Sequence, residues 1–410
     1  MNATSAPPKA GQPLAGIKVV DLTTFLSGPF GTQILGDLGA EVLKVEPLTG
    51  DSSRAIPPHF VGEDSAYFLG NNRNKRSISL DLKSEAGQQI ARQLIRDADV
   101  VIENFRPGVC ARLGLDVKTI RSEQPSLVWA SISGFGQTGT LKDTPAYDMV
   151  VQAMSGVMSL TGEQGRPAMR LGIPAGDLVA GMFATIGVLS ALVRKLTSGE
   201  GATIDVSMLD GQLAMVSYQA VYAMFSGQTP APQAARHDSI PTYRSFVGAD
   251  GREFVVTANT ERMWKGLCET LALPALVADA RFANASARLE NREALWVFLE
   301  TAFLGKKAAE WVTLLRTASV PVAPINNVTE ALAEAESNGR NMILDLADDR
   351  GHEVRVMGNP VKFVEGDQDV SLVSYPPRLG EHTEEVLRAL GHSAASISEL
   401  VSQNVIKVST

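Results

Sequence analysis

The sequence predicts an α/β protein built on a parallel sheet, with a smaller α+β domain set into the middle of the chain. Two observations carry this. Short β-type runs alternate with helical stretches as far as residue 207, and the texture changes abruptly near residue 226. At 410 residues the chain also exceeds what one simple core holds, so two domains are expected.

Residues 1–13 are rich in Ala, Pro, Ser and Gly without an apolar stretch, and read as a flexible tail rather than a signal peptide. Residues 16–22 are a first strand, Ser27-Gly28-Pro29 a turn, residues 30–38 a helix and residues 41–45 a second strand. This βαβ opening implies parallel pairing. Residues 84–98 form an amphipathic helix with Ser84 as its N-cap, and residues 99–102 and 127–132 are further strands. Helices are expected at about 148–158, 177–195 and 208–225, with a strand at about 203–207.

Residues 226–232 are linker-like. Beyond them, Gly248-Ala249-Asp250-Gly251 joins two strands as a hairpin turn. Helices follow at about 261–271, 290–303 and 307–317, and Val320-Pro321-Val322-Ala323-Pro324 reads as a second crossing. The expected division is therefore 14–225 and 326–410 in a large domain, with 226–325 as the small one.

Composition excludes several classes. The net charge of −8, without a Lys/Arg block, argues against nucleic acid and anionic membranes, although a few local cations could still hold a polyanion. Cys110 and Cys268 stand far apart, which fits a reducing cytosol and no disulfide framework. The charge-free run 178–193 is 16 residues long, short of the roughly 20 that span a bilayer. A soluble, cytoplasmic protein with a buried apolar helix is the expectation.

Asp177 is the most informative residue. It precedes that apolar helix, and Gly172, Pro174 and Gly176 crowd its approach. One reading is an N-cap, since Asp suits the positive helix end. The other is a nucleophile or base presented from a rigid helix. Both can hold together.

Gly134-Phe135-Gly136-Gln137-Thr138-Gly139 spells G-x-G-x-x-G after a strand, but Lys142-Asp143-Thr144-Pro145 follows where a dinucleotide site needs a helix. It reads as a Gly-rich turn. Asn71-Asn72-Arg73-Asn74-Lys75-Arg76 is an anion site or a solvated loop. Asn104-Phe105-Arg106-Pro107-Gly108 follows a strand, where open parallel sheets place ligands, with Arg112 a little beyond. The five histidines make no metal-spaced pair, so no metal site is expected, and neither a serine elbow nor a Walker sequence occurs.

Taken together, these segments resemble the family III coenzyme A transferases, the group that includes formyl-CoA transferase and carnitine CoA-transferases. The resemblance runs over residues 14–401. It is carried by Leu14-Ala15-Gly16-Ile17-Lys18-Val19-Val20-Asp21, Leu38-Gly39-Ala40-Glu41-Val42-Leu43-Lys44-Val45-Glu46 and Asn74-Lys75-Arg76-Ser77. Further along come Leu80-Asp81-Leu82-Lys83, Glu103-Asn104-Phe105-Arg106-Pro107-Gly108, Tyr147-Asp148, Gly176-Asp177 and Leu379-Gly380-Glu381-His382-Thr383.

The resemblance implies a Rossmann-like large domain from both chain ends, a smaller middle domain and an interlocked homodimer. It implies Asp177 as covalent nucleophile, with acyl-CoA and a small carboxylic acid as substrates and no tightly bound cofactor. Phe25, Leu26 and Ser27 match the loop beside the CoA thiol end. Leu80, Lys83, Asn104, Phe105, Arg112 and Leu113 match positions that hold the nucleotide and pantetheine.

Two departures bear on substrate. Leu26 stands where formyl-CoA transferase has Gln, and residues 236–243 replace its run of glycines. Both argue against formate or oxalate. A larger dicarboxylate with succinyl-CoA as donor is expected, with Arg73, Arg170, Arg236 and Arg244 as candidate carboxylate partners. The alternative is a 2-methylacyl-CoA racemase of the same fold, which uses a histidine with the aspartate as a two-base shuttle. Its place is taken here by Tyr147, and a phenol with an unperturbed pKa near 10 shuttles protons poorly at neutral pH.

Overall fold

A computed structural model describes residues 12–365, 368–369 and 373–409. The tail expected over residues 1–13 lies outside the described residues except for its last two. The chain divides into two compact units: Met1–Met158, Arg170–Gln228 and Arg340–Thr410 in one, Ser159–Met169 and Thr229–Gly339 in the other.

The larger unit is organised by a parallel sheet. Its strands are β1 (Lys18–Asp21), β2 (Glu41–Glu46), β3 (Lys75–Leu80), β4 (Val100–Glu103), β5 (Val128–Ser133) and β6 (Thr203–Ser207). They stand in the order 3-2-1-4-5-6, all parallel. The short strand Ile406–Lys407 adds antiparallel to the outer edge of β3. Strands β4 and β5 are buried along their whole length, as expected of parallel strands covered on both faces. This is the order of doubly wound nucleotide-binding sheets, which reverses between β1 and β4. Such sheets bind ligands at that reversal, outside the carboxyl ends of the strands.

Alternate residues feed two cores. Val19, Val100 and Ile102 face one, with α1 (Ser27–Asp37) and α4 (Ala175–Ser198). Val20, Val101 and Trp129 face the other, with α2 (Glu85–Arg96) and the C-terminal residues Val386 and Leu400. Ser84 caps α2 by accepting from Gly87 N. The C-terminal segment is stitched to β3: Gly380 N donates to Ser77 Oγ (3.0 Å) and Ser79 N to Thr383 Oγ1 (3.1 Å).

Two differences from the sequence reading matter for the site. First, α1 begins at Ser27, so Gly28 and Pro29 belong to its first turn, where a missing N–H costs nothing. Second, α4 is 24 residues long, starts before Asp177, and is long and apolar enough to cross a membrane by length and composition. Half of its most apolar stretch is buried inside this unit, against α1. Glycines set their approach. A Cβ on Gly31 would lie 2.8 Å from Gly181 O, and one on Gly181 would overlap Ser27 O. Thr185 Oγ1 donates to Gly31 O (3.3 Å). These contacts climb together along both chains, so α1 and α4 run in the same direction. Their N-termini therefore lie side by side at the carboxyl edge of the sheet.

The Gly-rich segment after β5 starts no helix; Gln137 N donates to the Asp205 carboxylate (2.9 and 3.0 Å), and α3 (Asp148–Met154) comes only later. Helix α5 (Met208–Ser226) carries a kink at Ser217, whose φ is +51°. A hairpin that the sequence reading did not contain, Ile343–Ala347 with Glu353–Met357, also belongs to the larger unit.

The smaller unit has a three-stranded antiparallel sheet of β7 (Tyr243–Val247), β8 (Glu253–Thr257) and β9 (Val322–Pro324), with β8 central. The expected 248–251 turn joins β7 to β8. Helices α6 (Glu261–Thr270), α7 (Arg292–Phe303) and α8 (Ala308–Thr317) cover it through Trp264, Phe303 and Trp311. Ser159–Met169 joins this unit through Gln233 N to Leu160 O and Ala234 N to Gly162 O (3.3 and 2.9 Å).

Candidate active site

The chain reverses sheet direction between β1 and β4, and the loops leaving those strands are tied together there. Asn104, just past β4, accepts from Thr24 N (2.9 Å) and donates to Thr24 O (2.8 Å) and Ser27 Oγ (3.3 Å). Both its amide hydrogens are occupied, so Asn104 acts as a cross-link between loops. Phe105 N donates to Glu103 Oε2 (2.8 Å). Burial pushes the Glu103 carboxyl up to about 7, against the hydrogen bonds from Ser131, Phe105 N–H and Cys110. Phe25 is left-handed (φ +66°), and its exposed ring stands edge-on to Tyr67 at 6.4 Å. The Ncap residue of α1, Leu26, supplies no side-chain bond to the first amides of that helix.

Asp177 lies in the first turn of α4, the helix packed beside α1. It is not the cap. The Ncap residue is Pro174, and the free amide of Gly176 is taken by Asp148 Oδ1 at 2.7 Å. Asp148 also accepts from Gln152 Nε2 (2.7 Å), and Gln152 Oε1 holds Leu171 N (2.9 Å). So α3 clamps the segment ahead of Asp177. The fit at Gly176 is tight: a Cβ there would sit 3.0 Å from Asp148 Oδ1 and 3.2 Å from Gln212 Nε2, so those side chains would have to give by a few tenths of an ångström. The Asp177 carboxylate itself makes no hydrogen bond or ion pair among the described residues. The helix N-terminus favours its anion, but burial and then the Asp148 charge outweigh this and push its pKa up to about 7.

The other expected site residues divide into groups. Leu80 is the last residue of β3 and Lys83 follows it, while Arg112 and Leu113 follow β4, all at the carboxyl edge. Lys83 and Arg112 are exposed and Leu113 is half-buried. The Leu80 side chain is fully buried in the core, so it shapes the strand end and has no free surface for a ligand. Leu26 is only 5% exposed, which weakens the first of the two arguments against oxalate, since that one needs residue 26 to face the acceptor. Arg73 is not an available carboxylate partner. It is buried, bidentate to Asp37 (2.5 and 2.8 Å) and bonded to Met357 O. Tyr147 and Arg170 are exposed in the larger unit. Arg236 and Arg244 belong to the smaller unit, both over the Trp296 ring (5.2 and 4.5 Å), and Arg244 pairs with Glu300 at 2.9 Å.

Sequence reasoning missed Tyr67. Burial, then the charges of Asp177, Asp51 and Asp148, push its phenol up to about 12, so at neutral pH it is a hydrogen-bond donor within electrostatic reach of Asp177. Its short helix (Ala66–Leu69) carries no periodic signal. Gln152 and Gln212 were missed for a similar reason: glutamines inside helices look like solvent-facing residues until packing buries them. Among the described residues no cluster of three or more His, Cys, Asp or Glu could hold a metal.

The switch-point loop at the start of α1 and the Asp177 carboxylate in the first turn of α4 thus share one edge of the sheet. The comparisons with known proteins give the chain a family. The profile described as "CoA-transferase family III" matches residues 14–383. The chain is 40% identical to the acetyl-CoA:oxalate CoA-transferase of Acetobacter aceti, over 92% of this chain and 95% of that one. It is 34% identical to the human succinyl-CoA:glutarate CoA-transferase, over 96% and 90%. A CAIB/BAIF family protein from Brucella suis superposes with a TM-score of 0.81 at 36% identity, over 92% of this chain and 99% of that one. The chain belongs to CoA-transferase family III and is an enzyme that works on CoA thioesters.

The folded protein binds the Asp177 proton more tightly than the unfolded chain, so ionising this group opposes folding. Stability falls as pH rises from about 4 to about 7, and the loss is complete above that. Asp177→Asn escapes it. Its stability advantage over the parent grows through that window and levels off at roughly 2–4 kcal/mol by pH 8, read by urea unfolding at several pH values. A constant difference across pH would refute this.

Proposed function

We propose that the enzyme moves CoA from succinyl-CoA to a small dicarboxylate through covalent intermediates on Asp177. The observation that carries this is the Asp177 carboxylate: partnerless, desolvated and fixed at a helix N-terminus beside the switch-point loop. A carboxylate kept from water is a stronger nucleophile, and the clamp of Asp148 and Gln152 removes the entropy of aiming it.

In this reading Asp177 attacks the thioester carbonyl, giving a mixed anhydride and CoA thiolate. The thiolate attacks the aspartyl carbonyl, forming an aspartyl-CoA thioester and releasing the donor acid. The acceptor carboxylate attacks that thioester, a second mixed anhydride forms, and the thiolate takes the new acyl group, regenerating Asp177. Each attack raises an oxyanion, for which the uncapped first amides of α1 and the Tyr67 O–H are the candidate donors. Phe25, Leu26 and Ser27 would flank the thiol end. Lys83 and Arg112, exposed cations at the carboxyl edge, would meet the phosphates, and Arg170, Arg236 and Arg244 are the remaining candidates for the acceptor carboxylate. The human relative's substrates, succinyl-CoA and glutarate, support that donor and a five-carbon acceptor, and the Acetobacter relative puts oxalate beside them. Racemisation lacks its second base, because position 147 is tyrosine.

Incubation with succinyl-CoA followed by hydroxylamine should leave a mass adduct on Asp177 that is absent in Asp177→Ala. No adduct from any acyl-CoA, with α-proton exchange into a 2-methylacyl-CoA, would establish the racemase instead. Tyr67→Phe removes only an O–H and should lower kcat by about tenfold or more; an unchanged kcat dismisses that donor.

A homodimer is part of the same proposal. Met182, Phe183, Ile186, Tyr218, Tyr222 and Phe225 on α4 and α5 are exposed, Phe225 by 94%, an apolar face that calls for a covering partner. Light scattering should give twice the chain mass; a monomer at micromolar concentration refutes it. The buried free thiols Cys110 and Cys268 accord with a cytoplasmic enzyme.

A further inference from the structure

Under the loop that leaves β1 lies a set of buried charges that the chemistry above does not use. Lys44 on β2, Lys75 on β3, Asp21 and Asp51 all have side chains sealed from solvent. Lys44 Nζ lies 2.8 Å from Asp51 Oδ2 and donates to Thr23 O at 2.7 Å. Lys75 Nζ lies 3.1 Å from Asp21 Oδ2 and donates to Asn72 Oδ1 (2.8 Å) and Pro29 O (3.0 Å). Asp21 Oδ1 accepts from Thr23 N (2.9 Å) and Thr23 Oγ1 (2.5 Å). Asp51 Oδ1 accepts from Phe25 N (3.2 Å) and Ser53 N (2.9 Å). The Asp51 amide in turn donates to Glu46 Oε2 (3.0 Å), and Glu46 is bidentate to Arg54.

Buried ion pairs are a weak source of stability, because desolvation offsets the attraction between the charges. Their effect here is geometric. The N–H and C=O of Thr23, the N–H and C=O of Thr24 and the N–H of Phe25 are each bonded to a side chain, from Asp21, Lys44, Asn104 or Asp51. Phe25 sits at φ +66°, a conformation costly for a bulky residue that persists only where the surroundings over-determine it.

We propose that the buried Lys44–Asp51 pair is a positioning device for the transfer reaction, holding Phe25 left-handed. That conformation presents the first amides of α1 and sets the Phe25 ring against Tyr67. The inference rests on the reading of the 23–27 loop as the thioester end. Asp51 acts through Phe25 and touches no substrate, so it is a positioning residue.

Two substitutions at Phe25 separate position from contact. Phe25→Gly and Phe25→Ala both remove the ring, but only alanine is strained in the left-handed region. With Asp51 in place the loop is held, and the two variants should differ in kcat by less than about twofold. In an Asp51→Asn background the glycine variant should exceed the alanine variant by about fivefold or more. Asp51→Asn alone should lower kcat about 10- to 100-fold with a smaller change in KM for the acyl-CoA, in protein that remains folded by circular dichroism. Lys44→Met/Asp51→Asn, which removes both charges together, serves the same comparison if the single variant does not fold. An equal Gly-to-Ala ratio in both backgrounds, or an unaltered kcat in Asp51→Asn, overturns the inference and leaves the proposed function standing. An unaltered kcat in Phe25→Gly overturns the reading of the loop and the inference with it.

Discussion

The close contact of α1 and α4 is the constraint on which the site depends. Gly31 and Gly181 let two helix backbones meet where any side chain would collide with a carbonyl. Because both helices run from the carboxyl edge of the sheet toward its amino edge, that contact aligns their N-termini. One N-terminus carries the loop of Phe25 and Leu26; the other carries Asp177. The adjacency of Asp177 and the switch-point loop therefore follows from missing side chains one turn away, with no direct bond between the two.

Around this contact, polar groups are divided between holding and reacting. Asp148 holds the Gly176 amide at the start of α4, while the Asp177 carboxylate has no hydrogen-bond or ion-pair partner among the described residues. Asn104 occupies both amide hydrogens in joining two loops, so the groups left free are backbone amides, Tyr67 and exposed cations. The electrostatic outcome is decided by burial: the helix end favours an anion at Asp177, desolvation and a second carboxylate oppose it, and opposition prevails.

The strands and long helices of the larger unit were legible because periodicity and caps are local signals. Ser84 caps α2, and β1, β2, β4, β5 and β6 fall within a residue or two of their expected places. Strand β3 was hidden. Its Lys75, and Asn72 and Arg73 just before it, look like a solvated loop until Asp21 and Asp37 bury and neutralise the charges. Leu26 and Leu80 were legible as members of a motif, but their burial was not.

By itself the sequence determined the α/β alternation, the small middle region and the resemblance to the CoA transferases, and it singled out Asp177 as the candidate. Each of these is written in residues near one another in the chain or in a motif. Only the tertiary structure decided that Asp148 rather than Asp177 holds the Gly176 amide of α4, that Tyr67 stands in the field of Asp177 and that Arg73 is already paired. It also decided that Ser159–Met169 joins the smaller unit. These facts depend on which residues distant in sequence share a dry space. Charge, hydrogen bonding and pKa are set by those neighbours, and no local pattern encodes them.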